Sequence, residues 1–194
     1  MTEHAHGRVA DDGTVFVRRP DGEEIAVGQW AAGAPAEGLA FFERKYDGLK
    51  AEAAPETVNA MLFLAQEGYF DSTLCHRLTT EGIKVLQCGD PTATGTGGPG
   101  FTIPDENLPE EGDTNYPAGT VAMANAGPGT SGSQFFLVYE DTTLPPNYTI
   151  WGQVSSGLDI VEQVAGAGVA GGGADGAPAA PIGIEAATVS QAQG

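Results

Sequence analysis

The stretch AMANAGPGTSGSQFFLVY (122–139) holds two patterns separated by a break. Residues 120–124 and 134–139 read as strands. The Gly, Pro and Ser between them can continue neither. In the second strand Gln134 shares a face with Phe136 and Val138, because side chains alternate along a strand. Towards the N-terminus the same period of two covers 73–78, with Cys75 and Arg77 on one face and Leu74, His76 and Leu78 on the other. It returns over 83–88, where Ile83, Val85 and Gln87 share a face, and 89–100 (GDPTATGTGGPG) reads as loop. Towards the C-terminus, 149–154 reads as a strand, 157–165 as a short amphipathic helix, 166–178 as Gly-rich loop and 182–189 as a last strand.

Upstream the period changes. Over 54–67 Pro55 suits a first helical turn, Val58, Met61, Leu62 and Ala65 form a stripe, and Gly68 can end the helix. Leu39, Phe42, Tyr46 and Leu49 recur at helical spacing within 35–51. Residues 13–28 read as a β-hairpin, with Pro20, Asp21 and Gly22 at the turn. Many short strands with a few helices predict a mainly β fold, a barrel or sandwich with helical covers. Its 194 residues suit one domain plus an appendage, divided here into an extension at 1–52 and a main domain at 53–194.

Composition excludes several functions. With 26 acidic against 8 basic residues the formal charge is −18, which disfavours nucleic acid and anionic membrane as partners. The most apolar run, AMLFLA at 60–65, is too short to span a bilayer. The polar start MTEHAHGRVADDG has no signal-peptide pattern. Cys75 and Cys88 are expected as free thiols in a cytoplasmic protein.

Motif chemistry narrows the choice further. GTGGPG at 95–100 has the spacing of a dinucleotide loop, but Pro99 and the following FTIP do not start a helix. No phosphate-binding G-x-x-x-x-G-K-[ST] and no G-x-S-x-G nucleophile turn is present. The histidines (His4, His6, His76) and the two cysteines lack metal-ligand spacing, so neither metal nor cofactor is expected. What remains is Arg77, Gln87, Asn125 and Gln134 set among Val, Leu and Phe. Singly each could be a satisfied edge or core group. Together they describe an apolar pocket with a few fixed hydrogen-bonding groups, and no nucleophile or acid–base pair accompanies them.

GYFDSTLCHRL (68–78), VLQCGDPTATGTGG (85–98), AMANAGPGTSGSQFFLVY (122–139), LPPNYTIWGQV (144–154) and GLDIVEQV (157–164) strongly resemble the cyclophilin family of peptidyl-prolyl cis/trans isomerases, in their bacterial form. APETVNAMLFLA (54–65) looks like that family's first helix, and the resemblance covers about 53–190. It implies an eight-stranded antiparallel β-barrel closed by two helices, with the first strands replaced here, because 39–53 reads as helix. It also implies that Arg77 is the catalytic arginine, with Gln87 and the main chain of Asn125 binding substrate backbone. Val85, Phe136 and Leu144 would form the proline pocket, with Ile83 in place of a family Phe. Gly95, Ala124, Thr130 and Gln134 would line the neighbouring groove. Thr143 stands where the family often has Trp, and Tyr148 where it often has His. The missing indole implies weak binding of cyclosporin-type ligands.

The implied activity is rotation about X–Pro bonds of proline-containing polypeptides, assisting protein folding. A second reading is a non-catalytic or weakly catalytic proline-peptide-binding, chaperone-like module. A third is a scaffold whose 35–51 helix binds a partner. Residues 7–52 are similar to the head of another bacterial family, of unknown function, which starts G-R-V-x-x-D-G-T-V-x-V-R. The 13–28 hairpin is a candidate to fill the open barrel edge, which would otherwise invite pairing with other chains.

Overall fold

The computed structural model describes residues 48–189 throughout and, before them, the backbone of four strands. These are β1 (Thr2–His4), β2 (Gly7–Val9), β3 (Thr14–Arg18) and β4 (Glu24–Gln29). They form an antiparallel sheet of their own in the order β1-β2-β3-β4. The hairpin expected at 13–28 is the β3–β4 pair, with Thr14 opposite Gln29 and Arg18 opposite Glu24. It pairs with β2 rather than with any barrel strand, so it does not fill the open edge. The helix expected at 35–51 lies outside the described residues up to position 47. Its last part is not helical, because Leu49 bridges Gly152 and the Lys50 N–H donates to the Trp151 carbonyl at 2.9 Å.

The body opens with α1 (Pro55–Gln66). Pro55 suits the first turn because its missing N–H would have had no helical partner. Ala54 precedes it and offers no side-chain cap. Glu106, far along the chain, caps the helix instead: its carboxylate accepts from the backbone N–H groups of Glu56 (3.2 Å) and Thr57 (2.9 Å) and from the Thr57 hydroxyl. The helix is buried on more than one stripe, since Glu56 through Leu64 are all buried. It stops at Gly68 (φ +68°), where the Tyr69 and Gly68 N–H groups return to the carbonyls of Leu64 and Ala65.

Eight strands of the body follow, with a second helix among them. β5 (Thr73–Leu74), β6 (Arg77–Thr79), β7 (Val85–Cys88), β8 (Thr120–Met123), β9 (Phe135–Val138) and β10 (Ile150–Gln153) precede α2 (Leu158–Ala167). β11 (Asp175–Gly176) and then β12 (Gly183–Ile184) close the chain. The main sheet is antiparallel throughout, in the order β10-β8-β9-β7-β6-β11, and β12 pairs with β5 separately. The eight-stranded closed barrel is therefore incomplete among the described residues. Residues 48–50 lie along β10 with only an isolated bridge.

Both faces of the sheet are apolar. Leu78, Leu86, Val121 and Met123 pack inward beneath α1, α2 and the final strand. Val85, Ala122, Phe136 and Val138 form a separate cluster on the other side with Tyr116.

Two expectations are corrected at 73–78. The alternation breaks at 75–76, where the chain leaves its pairing with β12 and joins β7. Cys75 therefore faces the core rather than sharing a face with Arg77. Leu74 is exposed while Leu78 is fully buried, although the two were expected on one face. Cys75 and Cys88 are joined by a disulfide rather than being free thiols. A count of two cysteines carries no information about their distance in space. β11 also falls inside the segment expected to be loop, and β12 occupies only a fragment of 182–189.

Candidate active site

Register builds the site. Arg77 lies opposite Gln87, Gln87 opposite Phe136, and Phe136 opposite Ala122. Directly opposed residues of an antiparallel pair project to the same side. The four side chains thus form one row across β6, β7, β9 and β8, continued by Ile150 of β10. Thr79, Val85 and Val138 form the next row on that face.

The apolar half is assembled by packing. Phe136 and Val85 are each only 4% exposed and make its floor. Ile83, Ala124, Leu144 and Tyr148 pack around them. The Tyr148 ring meets Phe136 edge-on with centroids 5.5 Å apart, and Tyr116 lies 6.2 Å from both rings. Two adjacent residues fix the outer wall. The Tyr116 hydroxyl donates to the Tyr148 carbonyl at 3.0 Å and accepts from the Tyr148 N–H at 3.1 Å. Burial pushes the Tyr116 phenol up to about 12, so it stays protonated and able to donate. Asn115 grips Leu144 in the same two-ended way, at 2.7 and 3.0 Å.

The polar half is assembled by hydrogen bonds of fixed direction. A guanidinium can only donate. Arg77 Nη1 donates to Gln87 Oε1 at 3.3 Å, which turns the Gln87 amide nitrogen towards Gln134 Oε1 at 2.8 Å. The Gln134 amide nitrogen in turn donates to the Gly97 carbonyl at 2.9 Å. Every donor in this chain points the same way, so successive bonds polarise one another.

Beyond Gln134 opens a groove of roughly 690 Å³, lined by Gln87, Gly95, Ala124, Asn125, Thr130 and Gln134 among others. Its Gly-rich rim is tied to one buried carboxylate. Asp90 accepts from the N–H groups of Thr92, Thr94, Gly95 and Gly97 and from the hydroxyls of Thr92 and Thr94. Burial alone would raise its pKa, but these donors, Thr92 first, outweigh that and hold it far below the usual carboxylate range. Gly97 is required there, because a Cβ would lie against the Asp90 carboxylate. The Asn125 side chain is occupied at both ends, by the Asn147 carbonyl (2.8 Å) and the Gly127 N–H (3.2 Å).

All twelve residues expected at the site therefore fall on this face. Ten of them, Gln87 included, belong to the apolar cluster or the groove lining alone, Ala124 belongs to both, and Arg77 joins them through its bond to Gln87. Thr143, at the position where an indole was missed, accepts from the Thr114 N–H instead. Asp175 was not anticipated. It binds Arg77 through both carboxylate oxygens, Nε to Oδ1 at 2.7 Å and Nη2 to Oδ2 at 2.6 Å. This hydrogen bonding raises the arginine further and lowers the carboxyl. With side chains 40% and 54% exposed, the pair is worth about 0–1 kcal/mol to the fold. Asn115, Tyr116 and Asp90 were also missed as supports. His76 sits beside Gly95 under the rim, its pKa lowered mainly by burial. No group of three or more His, Cys, Asp or Glu able to hold a metal occurs among the described residues.

Residues 48–189 match the family model described as cyclophilin type peptidyl-prolyl cis-trans isomerase. A probable peptidyl-prolyl cis-trans isomerase B of Mycobacterium tuberculosis is 50% identical over 142 residues, 68% of this chain. The chain spans only 46% of that relative's length. The peptidyl-prolyl cis-trans isomerase B of Bacillus subtilis is 42% identical over 114 residues, covering 58% of this chain and 77% of the relative. Among solved structures, a cyclophilin type isomerase of Cryptosporidium parvum, determined in the presence of the dipeptide Ala-Pro, matches with a TM-score of 0.61 and 30% identity. That match covers 71% of this chain and 87% of the other.

Proposed function

Because the chain belongs to the cyclophilin-type peptidyl-prolyl cis-trans isomerase family, we propose that it catalyses rotation about X–Pro bonds in proline-containing polypeptides, with Arg77 as the catalytic residue. The observation that carries this is the row Arg77–Gln87–Phe136, which sets a permanent cation beside an apolar floor.

Amide resonance sets a rotation barrier of about 18–20 kcal/mol. Rotation removes that resonance and leaves a lone pair on the prolyl nitrogen, without making or breaking a covalent bond. A guanidinium N–H placed at that nitrogen binds the twisted state better than the planar one, and only such a difference accelerates. Val85, Phe136, Leu144 and Ile83 would hold the proline ring, with Tyr148 packed on it. Gln87 and the main chain of Asn125 would hold the flanking backbone. The groove at Gly95, Ala124, Thr130 and Gln134 would take residues before proline.

No cofactor or metal enters this chemistry. The charge of −18 argues against nucleic acid or an anionic membrane as partner. Among the described residues no helix is long and apolar enough to cross a membrane. Assistance to folding in the cytoplasm is part of the proposal. There the Cys75–Cys88 pair would be held reduced, so activity is measured with and without reductant. The absent indole at Thr143 supports weak cyclosporin binding.

The test is isomerisation of a cis-enriched X–Pro peptide by the full chain. Wild type is expected to accelerate it, and Arg77→Ala to lose nearly all acceleration while remaining folded. Peptide binding without acceleration would instead support the non-catalytic, proline-peptide-binding module.

A further inference from the structure

We infer that Asp175 is a positioning residue for Arg77: its carboxylate fixes the plane and direction in which the guanidinium meets the prolyl nitrogen. This rests on Arg77 acting as proposed above.

The backbone places the carboxylate. β11 pairs with β6 so that Asp175 lies opposite Thr79, which makes it the diagonal neighbour of Arg77 on the same face. A long side chain reaches across such a diagonal. The ribbon carrying Asp175 is held from both sides. The Thr80 N–H donates to the Ala174 carbonyl at 2.9 Å, and the Ala170 N–H to the Ala177 carbonyl at 2.8 Å. Gly171, Gly172 and Gly176 adopt φ of +83°, +82° and +157°, which ordinary side chains avoid, and a Cβ on Gly176 would come within 3.0 Å of Val169. The approach of Asp175 is therefore set before substrate arrives.

The contact leaves part of the guanidinium open. Of five guanidinium N–H groups, Asp175 takes one on Nε and one on Nη2, and Gln87 takes one on Nη1. Two remain for substrate. Asp175 and Gln87 grip the fork from different atoms, so it cannot turn about its stem without breaking one of the contacts. An exposed pair of this kind adds little to stability, so orientation is the function it can serve.

The test compares Asp175→Ala, Asp175→Asn and Asp175→Glu in the full chain. Asp175→Ala is expected to lower kcat for an X–Pro peptide by roughly tenfold to a hundredfold, since small misplacements carry penalties of that order. KM should move less than twofold and circular dichroism should not change. Asp175→Asn should resemble Ala, because its amide nitrogen meets a donor. Asp175→Glu should recover part of kcat. Unchanged kcat in Asp175→Ala overturns the assignment, as does a gain in kcat, which would make Asp175 a restraint. A readout independent of turnover is the Arg77 Nε–H resonance in nitrogen-edited NMR. Slow solvent exchange in wild type and fast exchange in Asp175→Ala support the assignment, and identical exchange overturns it. If wild type itself shows no isomerisation, the isomerase reading fails, while this resonance still decides whether Asp175 orients Arg77.

Discussion

The two halves of the site are held in place by different physics. Around Phe136 the side chains are positioned by contact, with Val85, Ile83, Leu144 and Tyr148 filling space against one another. Around Gln87 and the groove they are positioned by bonds of definite direction, from Arg77 through Gln87 and Gln134 to Gly97, and from the rim amides into Asp90. Dispersion and burial are non-directional, so the apolar half should yield in proportion to volume removed. Hydrogen-bonded networks fail when one member is lost, because its partners are left unsatisfied. Arg77 stands where the two meet.

Removing volume tests the first half most severely. Phe136→Ala should cost about 3–5 kcal/mol of stability, read from denaturant unfolding, and activity should fall with it. Retained stability would mean that the floor is not the packed element described. Arg77→Ala should do the opposite. Activity should drop by about 10²–10³, or about 2.7–4 kcal/mol of transition-state stabilisation, with unfolding free energy nearly unchanged. A large stability loss there would erase the distinction.

Asp90→Asn comes next. It sets an amide nitrogen against backbone donors and should cost about 1–3 kcal/mol, with hydrogen exchange rising at 92–97 while the Phe136 side stays protected. The sign with pH follows from linkage. The pKa of Asp90 is lower folded than unfolded, so its contribution is fully present above the ordinary carboxylate value near 3.8 and is lost as pH falls towards the folded value. Wild-type stability should therefore decline below about pH 4 more steeply than that of Asp90→Asn. The smallest effect is expected from Tyr116→Phe, about 1 kcal/mol. It should loosen Tyr148 and raise KM, with exchange in the groove rim unmoved.

Most of the site was legible in the sequence because a strand converts spacing into direction. Ile83, Val85 and Gln87 alternate without interruption, and the Gln134–Phe136–Val138 series does so in the partner strand, so period two was enough to set them on one face. Arg77 was placed correctly, but Cys75 was not, because the chain changes partners between them and alternation does not survive such a switch. Asp175 was illegible for a related reason. Its segment is dominated by glycines, which carry no face pattern, and only the pairing of β11 with β6 makes an isolated acid the neighbour of an arginine 98 positions away. Asp90, Asn115 and Tyr116 act through backbone groups that no sequence pattern names. Helix α1 was read from its stripe and its ends, but its capping residue Glu106 was invisible, because a partner 49 and 50 positions away leaves no local pattern.

That borrowed cap ties local structure to the order of synthesis. Glu106 closes the first turn of α1 from 49 and 50 positions downstream. When the chain emerges from the ribosome, the helix segment appears first, with those amides still hydrated. Its N-terminal turn can be closed only once the loop carrying Glu106 has been translated. A nascent chain ending before that residue would fray at Pro55–Thr57, whatever the quality of the buried stripe behind it.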